Sequence, residues 1–255
     1  MTTPVKEGFN AEEFEAWSEK GDDDFWNRSR NKLIEYLISQ NFPDFKSFLE
    51  VGCGTGFAMS GLVKAFPGRD YVGVEMFEEG LRHARKRLPG IKLLQMDARE
   101  LNFTEEFDLL GSFDVLEHIT EDEDVMARMY KALKPGGGLV VSVPQHQWLW
   151  SAHDENLCHV RRYSNRELLE KLRRAGFTIV RSLSFLALLF PAMVGTRLLR
   201  KFTSEKNLND NPELHIPGWL DKVFEKALSV ERGLVKLGVN FPCGGSRVVV
   251  ARKES

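Results

Sequence analysis

One feature constrains the fold of this chain above all others: short apolar runs ending in glycine or an acidic residue alternate with stretches of helical spacing. The sharpest instance is Phe48-Leu49-Glu50-Val51, which runs directly into Gly52-Cys53-Gly54-Thr55-Gly56. A short apolar run bounded by turn residues reads as a buried strand. Glycines let the loop that follows turn sharply or approach a ligand closely. A helix is predicted over 58–66, closed by Pro67-Gly68. The unit then recurs, with strands predicted over 71–75, 91–96, 107–115, 139–143 and 177–181, and helices over 78–88, 122–133 and 165–175. Lys134-Pro135-Gly136-Gly137-Gly138 reads as a turn. Strands that alternate with helices demand crossover connections, so the prediction is an α/β fold with a mostly parallel sheet. A closing run, Arg247-Val248-Val249-Val250-Ala251, is expected to add an antiparallel strand at the sheet edge.

Three regions depart from the alternation. The first forty residues look helical after Asn10, with Glu12, Glu13 and Glu15 suiting a helix N-terminus and an apolar stripe at Leu33, Ile34, Leu37 and Ile38. Residues 144–164 are rich in Trp, His and Arg and lack periodicity, and 183–244 separate the sixth strand from the closing one. Both would sit beside the C-terminal strand ends, where open α/β sheets bind ligands. The expected organisation is a single domain over 1–255. It has an N-terminal helical segment (about 1–45), a core (46–182 plus 245–253), a lid (about 144–164) and a helical insertion (183–244).

Charge and cysteine usage narrow the function. A net charge of −2 lacks the basic surplus with which proteins displace counterions from nucleic acid, so no nucleic-acid partner is expected. The three cysteines, Cys53, Cys158 and Cys243, are widely spaced and form no CxxC pair, which argues against a disulfide framework or a zinc knuckle. The start, MTTPVKEGFN, has no apolar signal-peptide core, so a cytoplasmic location is the expectation. Phe185 to Val194, followed by Arg197, Arg200 and Lys201, is apolar and then basic. That pattern suits either membrane contact or a helix packed on the sheet edge, and packing is the favoured reading.

The glycine loop does not fit dinucleotide binding. A GxGxxG fingerprint counted from Gly52 puts Phe57 at the third glycine, and counted from Gly54 puts Met59 there. The acids point elsewhere. Glu75 ends the second strand, where a carboxylate can accept from both ribose hydroxyls, and Asp97 ends the third, within reach of an adenine amino group. With Glu50 ahead of the loop, these suit an adenosine ligand with an amino-acid tail and no phosphate.

These motifs, together with Asp114-Val115-Leu116-Glu117-His118 and Lys134-Pro135-Gly136-Gly137, resemble class I S-adenosylmethionine-dependent methyltransferases. Within that class they are most similar to the small-molecule group that includes ubiquinone-biosynthesis O-methyltransferases. The resemblance covers roughly residues 25–181 and implies a Rossmann-like, seven-stranded, mostly parallel sheet with flanking helices and S-adenosyl-L-methionine as cofactor. It places the methionine part of the cofactor at Gly52, Cys53, Gly54 and Gly56, beside Glu50. It places ribose at Glu75 with Met76 flanking the adenine, adenine at Asp97 and Ala98, and the methionine chain against Phe113. The arginine that meets the cofactor carboxylate matches Arg30 best, with Arg28 as the rival. Some quinone O-methyltransferases use the Asp114 to His118 type of motif for a metal. Local hydrogen bonding is the favoured reading for Glu117 and His118, and no metal is expected.

The segment Trp148 to Asp154, then His159-Val160-Arg161-Arg162-Tyr163, resembles a subgroup of bacterial and archaeal methyltransferases sharing an HD…HxRRY pattern and an FW dipeptide, here Phe25-Trp26. Methyl transfer to a hydroxyl needs positioning and removal of a proton, and histidine is the usual base. That base is expected at His153 paired with Asp154, or at His159. Trp150, Arg161, Arg162 and Tyr163 are the expected substrate contacts, the arginines suiting a carboxylate or phosphate. The reading is methyl transfer to a small, partly apolar acceptor with room for an anionic group, at oxygen by resemblance alone. The rivals are a non-catalytic cofactor-binding protein and, further off, a nicotinamide-dependent oxidoreductase.

Overall fold

The computed structural model describes residues 25–202 and 217–254; residues 11–24 of the helical segment expected after Asn10, and 203–216 of the expected helical insertion, lie outside them. Helix α1 (Phe25–Asn41) leads into β1 (Ser47–Val51), α2 (Phe57–Ala65), β2 (Asp70–Glu75), α3 (Glu78–Arg87), β3 (Lys92–Gln95) and β4 (Phe107–Phe113). There follow α4 (Asp122–Ala132), β5 (Leu133–Pro144), the short α5 (Ala152–Asn156), α6 (Asn165–Arg174) and β6 (Thr178–Phe185). Helices α7 (Phe190–Phe202) and α8 (Gly218–Lys236) precede β7 (Ser246–Arg252).

The seven strands form one sheet in the order β3-β2-β1-β4-β5-β7-β6. Neighbours from β3 to β5 pair in parallel, and β7 runs antiparallel to both β5 and β6. This is the expected Rossmann-like sheet with two corrections. The closing strand does not lie at the edge: β7 inserts between β5 and β6, leaving β6 as the edge strand. Its run Val248-Val249-Val250-Ala251 is buried on both faces, which only an interior strand requires. The expected turn over 134–138 lies inside β5 as a bulge: the ladder pairs Leu133 with Phe107 and resumes at Gly138, which pairs with Leu109 and with Arg252.

Alternation of side chains across each strand divides the core in two. Phe48, Leu109, Val248 and Val250 face a cluster with α1, α2 and α8, whereas Leu49, Leu110, Val249 and Ala251 face one with α4 and α6. Helix α7 packs on the first cluster through Met193, with Leu189 just ahead of it in the turn that leads into the helix, in line with the packed reading of this apolar stretch. No helix of the described residues is long and apolar enough to cross a membrane.

The end of α1 seats on the sheet through one glycine. A Cβ on Gly138 would lie 2.3–2.5 Å from three ring atoms of Phe42, a rigid side chain in the first cluster. We expect Gly138→Ala to destabilise the protein by about 1–3 kcal/mol through overpacking, read as a lower midpoint in urea unfolding.

Candidate active site

The crevice at the C-terminal ends of the parallel strands is built from the β1 loop outwards. Gly52 has φ +73°, and a Cβ there would lie 2.5 Å from Val115 Cγ2, so only glycine lets the loop pass the β4 segment. The loop is locked to β2. Glu75 accepts a hydrogen bond from the Gly54 amide at 2.9 Å through Oε2 and from the Phe77 amide at 3.0 Å through Oε1. Burial raises the Glu75 pKa against the pull of those backbone donors. Gly56, at φ +77°, closes the turn against Ala84 and Leu88 of the α3 segment and lies behind the loop.

Glu50, buried at 2% exposure, has no partner for Oε2. Burial, reinforced by the neighbouring charge of Glu75 and opposed by Arg30, pushes its pKa up to about 8. Arg30 reaches in from α1, donating to Asp114 through Nη1 and to Asn27 Oδ1 at 3.1 Å, with its guanidinium 4.4 Å from the Trp26 ring centre. Its rival Arg28 is committed elsewhere, to Asp221 at 2.5 Å and Glu225 at 3.6 Å on α8. Asp97 caps the turn after β3 and is held by the Arg99 guanidinium at 2.8 Å. Burial alone would raise its pKa, and Arg99 outweighs that and lowers it.

One cavity of about 660 Å³ takes in Arg30, Glu50, Gly52, Cys53, Gly54, Glu75, Met76, Asp97, Ala98 and Phe113. Every residue expected at the cofactor lines it except Gly56. The same cavity is also lined by Glu117, His118, His153, His159 and Arg162, and by the apolar side chains of Trp26, Leu186, Leu189, Met193 and Phe224. These apolar lining residues were not legible in the sequence, because Leu189, Met193 and Phe224 look like ordinary packing residues until the topology sets them beside the crevice.

The histidine-rich segment is organised by Asp154, which is fully buried. It accepts from His159 Nδ1 at 3.0 Å, Arg162 Nε at 2.6 Å and the Ser151 amide at 2.9 Å. Burial would raise its pKa, but the bonds from His159 and Arg162 hold it well below the usual carboxylate range. Of the two expected histidines, His159 is the one bonded to Asp154 through Nδ1, at 3.0 Å. Adjacent helical residues do not face each other, whereas the chain reverses at Cys158 (φ +56°) and returns His159 to the carboxylate. With Nδ1 bonded to Asp154, His159 keeps Nε2 for other contacts.

The other expected substrate contacts diverge. Arg162 lines the cavity; Trp150, Arg161 and Tyr163 do not. Tyr163 is fully buried and donates to Asp122 Oδ2 at 2.6 Å, Lys171 meets the same oxygen at 2.6 Å, and Arg161 pairs with Asp122 Oδ1 at 2.7 Å. These side chains clamp the segment to the start of α4. Trp150 bonds Glu155 at 3.3 Å.

The last feature spans two segments distant in sequence. Glu117, His118 and His159 each bring a ligand atom to within 4.8 Å of the others'. Glu117 is 1% exposed with no partner for Oε2, and burial followed by the nearby Asp114 raises its pKa. Burial, then the neighbouring His159, pulls His118 down to about 3, so it is neutral at physiological pH.

Comparison with known proteins gives the family. A family described as a methyltransferase domain matches residues 24–182, and the chain belongs to that family. Over 122 residues it is 31% identical to trans-aconitate 2-methyltransferase of Acidovorax sp. (strain JS42), covering 48% of this chain and 47% of that protein. It is 29% identical over 114 residues to malonyl-[acyl-carrier protein] O-methyltransferase of Priestia megaterium, covering 44% and 42%. The chain spans about half the length of these curated relatives. Among solved structures, phosphoethanolamine N-methyltransferase 2 of Haemonchus contortus, in complex with S-adenosyl-L-methionine, superimposes with a TM-score of 0.64 at 16% identity, over 96% of this chain and 58% of that one. The [4+2]-cyclase SpnF superimposes with a TM-score of 0.59 at 19% identity, over 90% and 83%. These two likenesses concern the fold, which hosts more than one activity.

The Glu50 environment makes a pH prediction. A carboxyl whose folded pKa lies near 8 binds its proton more tightly folded than unfolded. Its contribution is complete below the ordinary carboxylate range and is lost as pH rises through about 8. Glu50→Gln cannot ionise, so its melting temperature is expected to fall less between pH 5 and pH 8.5 than that of the unsubstituted protein. Parallel melting curves would contradict the assignment.

Proposed function

We propose that this chain transfers the methyl group of S-adenosyl-L-methionine to an oxygen of a small, partly apolar acceptor. One observation carries the reading: a single cavity is lined by a glycine loop, three strand-end acids, a carboxylate–imidazole cluster and a set of apolar side chains. The residues present suit the cofactor. Gly52 and Gly54 offer backbone without side chains, and Glu50 holds a buried oxygen without a partner. Glu75 suits the ribose hydroxyls, Met76, Asp97 and Ala98 the adenine, Arg30 the carboxylate, and Phe113 the methionine chain. When bound, the cofactor supplies an electrophilic methyl group on sulfur.

The chain's own residues do the rest by positioning. The apolar wall from Trp26, Leu189, Met193 and Phe224 orders the acceptor and excludes water, and Arg162 offers a cation to an anionic group. The acceptor hydroxyl loses its proton at the Glu117–His118–His159 cluster, whose orientation depends on the Asp154–His159 hydrogen bond. Asp154 is committed to His159, which favours His159 over His153 in this role. A net charge of −2 supports a small-molecule acceptor rather than nucleic acid. The free thiols at Cys53, Cys158 and Cys243 favour a reducing, cytoplasmic setting.

The test is turnover against a panel of hydroxylated aromatic and aliphatic acids. His159→Ala is expected to lower kcat by about 100-fold, within the range for lost proton transfer, with S-adenosylhomocysteine affinity unchanged. Unchanged kcat in His159→Ala would remove the cluster from the chemistry. Cofactor binding with no turnover on any acceptor would identify a binding protein instead.

A further inference from the structure

We infer that Glu117, His118 and His159 form a binding site for a first-row divalent cation on the wall of the active-site cavity. Among the described residues, theirs is the group of three whose carboxylate and imidazole donor atoms all converge within 4.8 Å. The two rings stand at 80° with centres 4.7 Å apart, edge to face rather than stacked. The segments that carry them are pinned together, because the Val160 amide donates to the Glu117 carbonyl at 2.8 Å.

Two further observations point to a cation. Metal-binding imidazoles characteristically have their second nitrogen fixed by a carboxylate or a backbone carbonyl. His159 has Asp154 at 3.0 Å on Nδ1, and backbone hydrogen bonds at Cys158 and Leu157 orient His118. Independently, Glu117 is 1% exposed and its Oε2 has no hydrogen-bond partner. A buried carboxylate oxygen left unpaired is costly, and a cation between the three side chains would satisfy it.

The ligand set is not the contiguous acidic motif of the sequence. Asp114, which opens that motif, is bound to Arg30 and accepts from Ser142 Oγ at 3.1 Å. His159 supplies the third ligand from the returning segment. Two imidazoles and one carboxylate favour manganese, iron, cobalt or zinc over magnesium or calcium, which prefer oxygen donors. Three protein ligands on a cavity wall leave coordination positions for solvent or an acceptor oxygen. There the cation would lower the pKa of a bound hydroxyl so that its proton passes to solvent, His159 then serving as a ligand and not as the base. That role rests on the proposed methyl transfer; binding of the cation does not.

The test uses the full-length chain stripped with EDTA and titrated with cobalt(II) chloride, without acceptor, followed by calorimetry and by the visible absorption of the bound ion. The expectation is one saturable equivalent, with magnesium chloride binding at least about 100-fold more weakly. His159→Ala and Glu117→Gln should each weaken cobalt by 100-fold or so, while Asp114→Asn leaves it within a few-fold. Glu117 is buried, so S-adenosylhomocysteine binding and a melting curve check that each variant folds, and His159→Ala decides if Glu117→Gln does not. Absence of saturable cobalt binding overturns the site. So does binding that survives His159→Ala. Failure of S-adenosylhomocysteine to bind the unsubstituted protein would sink the methyl-transfer reading separately.

Discussion

The reversal of strand order between β1 and β4 is the constraint on which the site depends. From β1 the chain winds outward through β2 and β3, then returns to place β4 and β5 on the other side. The crossovers therefore diverge at this point, and a crevice opens at the carboxyl ends of the strands. Glu50, Glu75, Asp97 and Asp114 all come from those ends or the first residues beyond them. Their proximity follows from the topology. The close fit at Gly52, where any Cβ would strike Val115, keeps the two sides of the crevice in register.

Within that crevice the electrostatics are set by burial. Glu50, Glu75 and Glu117 all have raised pKa values, with burial as the largest cause. Asp154, equally enclosed, is held ionised by Arg162 and His159. The contrast divides the work. The fully paired carboxylate fixes the geometry of a neighbour, and the carboxylates with spare hydrogen-bonding capacity are left to meet a ligand. Arg162 takes part in both, bonding Asp154 with Nε while lining the cavity.

Much of the fold was legible because it rests on local signals. Hydrophobic runs punctuated by Pro67-Gly68, Pro89-Gly90 and Gly176 give the strand and helix sequence to within a few residues. The position of β7 was not legible, since insertion between β5 and β6 rather than addition at the edge depends on pairing across the whole sheet. The cofactor half of the cavity follows the same logic, as its residues lie at strand ends that periodicity can find. The acceptor half does not. Whether His153 or His159 meets Asp154 turns on the positive φ of Cys158. The tertiary fold likewise sends Tyr163 to Asp122 and His159 to Glu117. Arg161, which suggests anion recognition by residue type, clamps α4 together with Tyr163 because a buried carboxylate lies within their reach.

The central claim is that the crevice holds an adenosyl ligand with an amino-acid tail. Isothermal titration of the purified protein with S-adenosylmethionine, S-adenosylhomocysteine and NAD, beside Glu75→Ala, tests it most directly. The account predicts saturable binding of both adenosyl ligands, at least about tenfold weaker in Glu75→Ala, a loss of roughly 1.4 kcal/mol, and no binding of NAD. Binding of NAD alone, or adenosyl binding indifferent to Glu75, would contradict it.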